Sequence, residues 1–165
     1  MPISIEISGR EEALGAVREA VEHMEDSTDL FARIGAAITL STQERFERGV
    51  APDGNPWPKS IRALVNGGKT LFDTGYFMQS ITFEASAESV LIGSDAIQAA
   101  IHQFGGTITA KSGKGLAFKG AHGDMVHVPS VTIPARPFLG LDDDDDREII
   151  DITGEWLRNA FEVTS

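Results

Sequence analysis

The sequence predicts an α+β protein in which a small antiparallel sheet packs against N-terminal and C-terminal helices, in a single domain spanning residues 1–165. Three observations predict it. The spacing of apolar residues switches between the two-residue period of strands and the helical period along the chain. Gly- and Pro-rich stretches punctuate those segments. A chain of 165 residues, 41% apolar and 24% charged, suits one ordinary core and carries neither a repeat nor an internal linker.

The elements follow in order. Ile3, Ile5 and Ile7 alternate with Ser4, Glu6 and Ser8, the pattern of a half-buried strand. Leu14, Val17, Val21 and Met24 then form a helical stripe. "STD" at 27–29 starts a second helix, carried by Phe31, Ile34 and Ile38 to Arg48 and stopped by Gly49. Glu44, Arg45, Glu47 and Arg48 read as its exposed last turns. Residues 49–70, "GVAPDGNPWPKSIRALVNGGKT", hold three of the seven prolines and read as a long ordered loop. "LFDTGYFMQSI" gives a short helix capped by Asp73 or Thr74. "ITFEA" and "SVLIG" give a hairpin. "SDAIQAAIHQFGG" gives a compact helix capped at Ser94 or Asp95. A strand near Thr107–Lys111, a Gly/Lys-rich loop, a strand over Met125–Ile133 and a last helix to Phe161 complete the chain.

Composition excludes several function classes. With no cysteine there is no disulfide scaffold, thiol nucleophile or thiolate metal site. No apolar run approaches the 18 or so residues of a membrane span, and no basic-then-apolar signal opens the chain, so neither membrane insertion nor export is expected. The net charge of −11 is concentrated at the two ends, and the centre is mildly basic. A chain without a basic stripe is not expected to grip nucleic-acid phosphates specifically.

Four local patterns invite a chemical reading. Asp142–Asp146 fail as a calcium loop, because Arg147 stands where glycine is required and Thr153 where the final glutamate is required. They read instead as the acidic start of a helix, with Asp145 and Glu148 as an approximate capping box. On that reading Asp145 and Asp146 stabilise the helix, while Asp142 and Asp143 are surplus for folding and serve either an acidic surface that repels phosphates or solubility alone. "ALVNGGKT" resembles a phosphate loop, but proline-broken "NPWPKSIR" precedes it where a central strand is needed; no cofactor is expected. His122, Asp124 and His127 form a possible two-histidine, one-carboxylate metal set, which would make the chain a small metal-dependent hydrolase. Trp57, between Pro56 and Pro58, either folds over the core or anchors a subunit contact. Arg136, stiffened between Pro134 and Pro137, stands near the aspartates as a pairing candidate, and Phe138 seals the same turn. Trp57, Arg136 and Phe138 are therefore the candidate subunit or partner contacts.

The order of four segments is more specific than any one of them. "RFERGVAPDGNPWPKS", "LFDTGYFMQSI", "AAIHQFGG" and "TIPARPFLGLDDDDDREII" together resemble the phage virion morphogenesis (tail completion) family, across about residues 30–158. The resemblance implies a structural protein, not an enzyme, that finishes the tail and forms part of the head–tail joint. It implies a ring of this chain, commonly of six subunits, in contact with tail-tube and head–tail connector proteins. Its location would be the tail or neck of the virion, after assembly in the bacterial cytoplasm. The uniform aspartate run and the 111–124 loop are departures from the family pattern.

Overall fold

The computed structural model describes residues 26–162 apart from 112, 114 and 120–123. The strand expected at Ile3–Ile7 and the stripe Leu14–Met24 lie outside the described residues. In chain order the elements are α1 (Thr28–Arg48), α2 (Ile61–Asn66), α3 (Tyr76–Gln79), β1 (Ile81–Ala85), β2 (Val90–Ser94), α4 (Ala99–Phe104), β3 (Gly106–Thr109), β4 (Leu116–Lys119), β5 (Met125–Val128), β6 (Ser130–Ile133) and α5 (Asp143–Glu162). The class is α+β, with strands that pair antiparallel throughout.

Helix α1 begins at the "STD" signal, where Asp26 Oδ1 accepts the Thr28 N–H at 3.1 Å. It ends at Gly49, whose left-handed backbone returns its N–H to the Arg45 carbonyl at 2.7 Å. The buried stripe Leu30, Ile34 and Ile38 faces Ile152 and Trp156 of α5. Arg33 bonds Glu155 at 2.6 Å near one end of the pair, and Arg45 meets Asp145 near the other, so α1 and α5 run antiparallel.

The β1–β2 hairpin also packs on α1, its Val90 and Ile92 meeting the same apolar cluster, in the register Ile81↔Ser94 to Ala85↔Val90. It reaches the helix at Gly35. A Cβ built there would lie 2.4 Å from a Phe83 ring carbon and 2.8 Å from a Val90 methyl, so only glycine admits this approach. A second apolar cluster, Phe46, Ala51, Trp57, Phe77, Ile81, Ala96 and Phe138, fills the space beyond the C-terminal end of α1.

Four expected elements differ in the structure. The 49–70 stretch contains α2, because the Ser60 hydroxyl accepts the Ala63 N–H at 3.1 Å and starts a helix in "IRALVN" immediately after the prolines. Helix α4 starts later than either Ser94 or Asp95. Ser94 ends β2, and its hydroxyl is engaged by the Ala96 N–H at 3.1 Å and the Ser80 hydroxyl at 2.7 Å. The strand expected over Met125–Ile133 divides at Pro129 into β5 and β6, since proline supplies no N–H to a ladder. Strand β4 lies in the segment read as a Gly/Lys-rich loop.

The last four strands form one interrupted hairpin. β3 pairs with β6 and β4 with β5, and the register shifts between Thr109↔Ser130 and Leu116↔Val128, across Pro129, whose carbonyl accepts the Ala110 N–H at 2.9 Å. The antiparallel strands thus fall into three two-stranded ribbons. Among the described strands, only the β1–β2 ribbon packs extensively on α1.

The close approach at Gly35 reverses an ordinary rule. Gly→Ala inside an exposed helix stabilises by about 1 kcal/mol. Gly35→Ala is predicted instead to destabilise by about 1–3 kcal/mol, the cost of overpacking, measured by urea unfolding of the full chain.

Candidate assembly site

Arg45 follows Leu30, Ile34, Ile38 and Thr42 along the inner face of α1, and its side chain is 0% exposed. The expectation that Arg45 belongs to an exposed last turn is therefore corrected. The helical period carries the buried face to position 45, and a guanidinium there requires anionic partners. It finds them across the chain. Nη1 donates to the Gly140 carbonyl at 2.7 Å, and Nη2 donates to Asp142 Oδ2 at 3.1 Å and also to Asp145 Oδ2.

Those carboxylates also cap α5. Asp142 Oδ1 accepts the backbone N–H groups of Asp144 and Asp145 at 3.0 and 2.9 Å, while Asp145 Oδ2 accepts the Asp142 N–H at 3.1 Å. This is a reciprocal capping box one turn earlier than the one expected from Asp145 and Glu148. Asp142 is therefore a structural residue, which corrects its reading as surplus. Asp143 is exposed, as an acidic surface requires. Burial acts to raise the Asp142 pKa, but the Asp145 N–H, the Arg45 guanidinium and the Asp144 N–H outweigh it, and the net shift is below the ordinary 3.8.

The turn between Pro134 and Leu141 is held from three sides. Gln103, at the end of α4, accepts the N–H groups of Phe138 and Leu139 on Oε1 at 3.0 and 3.1 Å and donates from Nε2 to the Leu139 carbonyl at 3.0 Å. Trp57 Nε1 donates to the Pro137 carbonyl at 2.8 Å. Arg136 Nε donates to the Pro58 carbonyl at 2.7 Å, so its partner is the Trp57 loop and not the aspartate run. Gly105, at φ +69°, lets the chain pass so close to Ala135 that a Cβ would lie 2.7 Å from its nitrogen.

Inside this frame the rings of Phe46, Trp57, Phe77 and Phe138 meet with centroids 5.1–5.4 Å apart, mostly edge to face. His102 lies 5.8 Å from Phe77; burial, then the charge of Arg136, lowers its pKa below 6.5 and keeps it neutral near pH 7. Trp57, Arg136 and Phe138 are 5%, 4% and 0% exposed in the single chain. Their contribution to any contact is thus to fix the shape of the loops that carry it, since little of these side chains reaches the surface.

The other chemical candidates are placed separately. Among the described residues no group of three or more His, Cys, Asp or Glu is arranged to hold a metal ion. Asp124 and His127 are exposed, and His122 lies outside the described residues. Helix α2 leads into Gly67 and Gly68, where a phosphate loop needs a strand, and Lys69 lies over the Phe72 ring at 5.5 Å. No helix among the described residues is long and apolar enough to cross a membrane. Sequence reasoning missed Arg45 and Gln103. The first was visible as a continuation of the apolar stripe; the second had no signal beyond its place before Phe104 and Gly105.

Comparison with known proteins places this frame among relatives. A model of the phage virion morphogenesis family matches residues 5–158. The chain is 31% identical over 156 residues to "Mu-like prophage FluMu G protein 2" of Haemophilus influenzae, covering 94% of this chain and 96% of that protein. It is 35% identical over 127 residues to "Putative capsid assembly protein G" of Escherichia phage Mu, covering 72% and 71%. No solved structure matches the chain.

The capping box and the ion pair make a prediction that separates neighbouring aspartates. Asp142→Ala is expected to lower stability by about 0.5–2 kcal/mol, the range for losing an N-cap, and Asp143→Asn by less than about 0.5 kcal/mol. A carboxyl with a lowered folded pKa contributes stability above its unfolded value, near 3.8, and loses it as pH falls through the folded value. The gap between wild type and Asp142→Ala should therefore be full at neutral pH and close below that window, in chemical denaturation followed from pH 7 to 2.

Proposed function

The chain belongs to the phage virion morphogenesis family, a phage structural protein, and we propose that it completes the tail and helps form the head–tail joint as a ring of its own copies. One observation carries this reading. The four segments on which the family resemblance rests are the segments that lock together around Phe138 and Arg45. The motifs thus specify one rigid hub, and no reacting group needs to be invoked to explain them. The hub carries exposed Tyr76 and Phe104, and the neighbouring β2 and its connection to α4 carry exposed Leu91 and Ile97, apolar surface of the kind that an assembly covers. Exposed Asp143, Asp144 and Asp146 are the part of the aspartate run left to repel phosphates in a DNA passage.

The partners in this proposal are the tail tube and the connector proteins at the head. The site would be the tail or neck of the virion, following assembly in the bacterial cytoplasm. The printed name of the phage Mu relative favours a second reading, a role in assembling the capsid.

Deleting the gene in an inducible phage and imaging the lysate by negative stain distinguishes the two. The tail reading predicts DNA-filled heads and separate tails that do not join, with joining restored by the gene in trans. Absent or malformed heads beside normal tails would overturn it in favour of the capsid reading.

A further inference from the structure

The interrupted hairpin β3–β6 lacks what a two-stranded ribbon requires for stability. Such a ribbon is marginal in water unless a further strand or helix covers one face. Yet no described residue between 105 and 133 is buried. Its apolar side chains are nonetheless organised. Register pairs Leu116 with Val128 and Phe118 with Val126 on one face of the outer ribbon, and Ile108 with Val131 on the inner ribbon. Leu116, Phe118, Val126 and Val128 are half-buried and Ile108 is 41% exposed, while Met125, on the opposite face of the ribbon, is 59% exposed. Both ribbons also leave their outer backbone edges unpaired among the described residues, as two-stranded sheets must.

Charge selects the occupant. Residues 105–133 carry three lysines against one aspartate, a net of +2, which leaves −13 of the chain's −11 on the remainder. A basic arm on an acidic body is complementary to another copy of the same chain. Nucleic acid would meet the same lysines but would be repelled by the body behind them.

We propose that strands β3–β6 form an assembly arm, laying the Leu116, Phe118, Val126 and Val128 face on the acidic body of a second copy. The donor surface and the receiving surface are different, so the contact is head to tail, the type that closes into rings or runs on as filaments. The proposal rests on the ring reading of the preceding subsection and names the surface that builds it. Burying the apolar face supplies the missing layer, and the charge difference sets which way the arm docks.

The test uses the full chain and two arm variants, Phe118→Asp and Lys111→Glu, with thermal melts of each to verify that the α1–α5 body stays folded. Sedimentation velocity across a salt series should show oligomers of the wild type that weaken as salt rises, and an association constant about tenfold or more lower in each variant. Because the chain has no cysteine, a Val126→Cys variant carries a photocrosslinker at one site within the docking face, and its crosslinks should fall on acidic segments of another copy. Oligomers that form equally well in both variants overturn the arm while leaving the ring intact. A wild type that stays monomeric at every concentration and salt overturns both the arm contact and the self-assembled ring. Retention of duplex DNA by wild type and not by Lys111→Glu makes nucleic acid the occupant, and overturns the second copy.

Discussion

A guanidinium with no solvent needs anionic and carbonyl acceptors, and that constraint organises this fold through Nη1 and Nη2 of Arg45, while its Nε has no partner among the described residues. Arg45 is placed inside by the helical period of α1, and its acceptors come from residues about a hundred positions away. The Gly140 carbonyl, Asp142 and Asp145 can reach it only if the 134–141 turn is in place and α5 starts where it does. One side chain therefore couples the end of α1, the turn and the start of the last helix. Such pairs are weak evidence of net stability, because an apolar replacement of the whole group can do as well. Their force lies in asymmetry: removing one partner leaves a buried charge, at a cost of about 3–5 kcal/mol.

The same junction explains why distant motifs travel together. Gln103 satisfies backbone groups of Phe138 and Leu139, Trp57 takes the Pro137 carbonyl, and Arg136 takes the Pro58 carbonyl. Each motif supplies the hydrogen-bond partner that another lacks, which a buried turn requires. The result is a hub with fixed loops, and beside it a hairpin with no buried residue among those described. Local stability follows burial and contact density, so the hub, where the buried residues lie, is the more stable part.

Much of this was legible in the sequence where local chemistry decides. The start and stop of α1, the β1–β2 hairpin and the acidic opening of α5 follow from caps, alternation and glycine. What was not legible depends on distant partners. Arg45 read as surface because charge and sequence position argue for solvent, and only the carboxylates from the last helix make its burial tolerable. Asp142 read as surplus because a capping box can be written in two registers along a uniform aspartate run; the choice is made by Arg45. Trp57, Arg136 and Phe138 read as subunit or partner contacts because stiff aromatic and Arg-Pro segments suit an interface, whereas the folded chain turns their side chains inward, onto the Pro58 and Pro137 carbonyls and the ring cluster. Pro129, which divides one expected strand into two, was visible in the sequence and was not used.

The central claim is that Arg45 and Asp145 form one unit whose parts are costly to separate. A double-mutant cycle with Arg45→Met and Asp145→Leu, read by urea unfolding, tests it most directly. The account predicts that each single change destabilises by about 3–5 kcal/mol, and that the double variant recovers most of that loss, giving a coupling well above the ~0.5 kcal/mol scatter of independent sites. Additive losses, with the double variant as unstable as the sum of the singles, would contradict it.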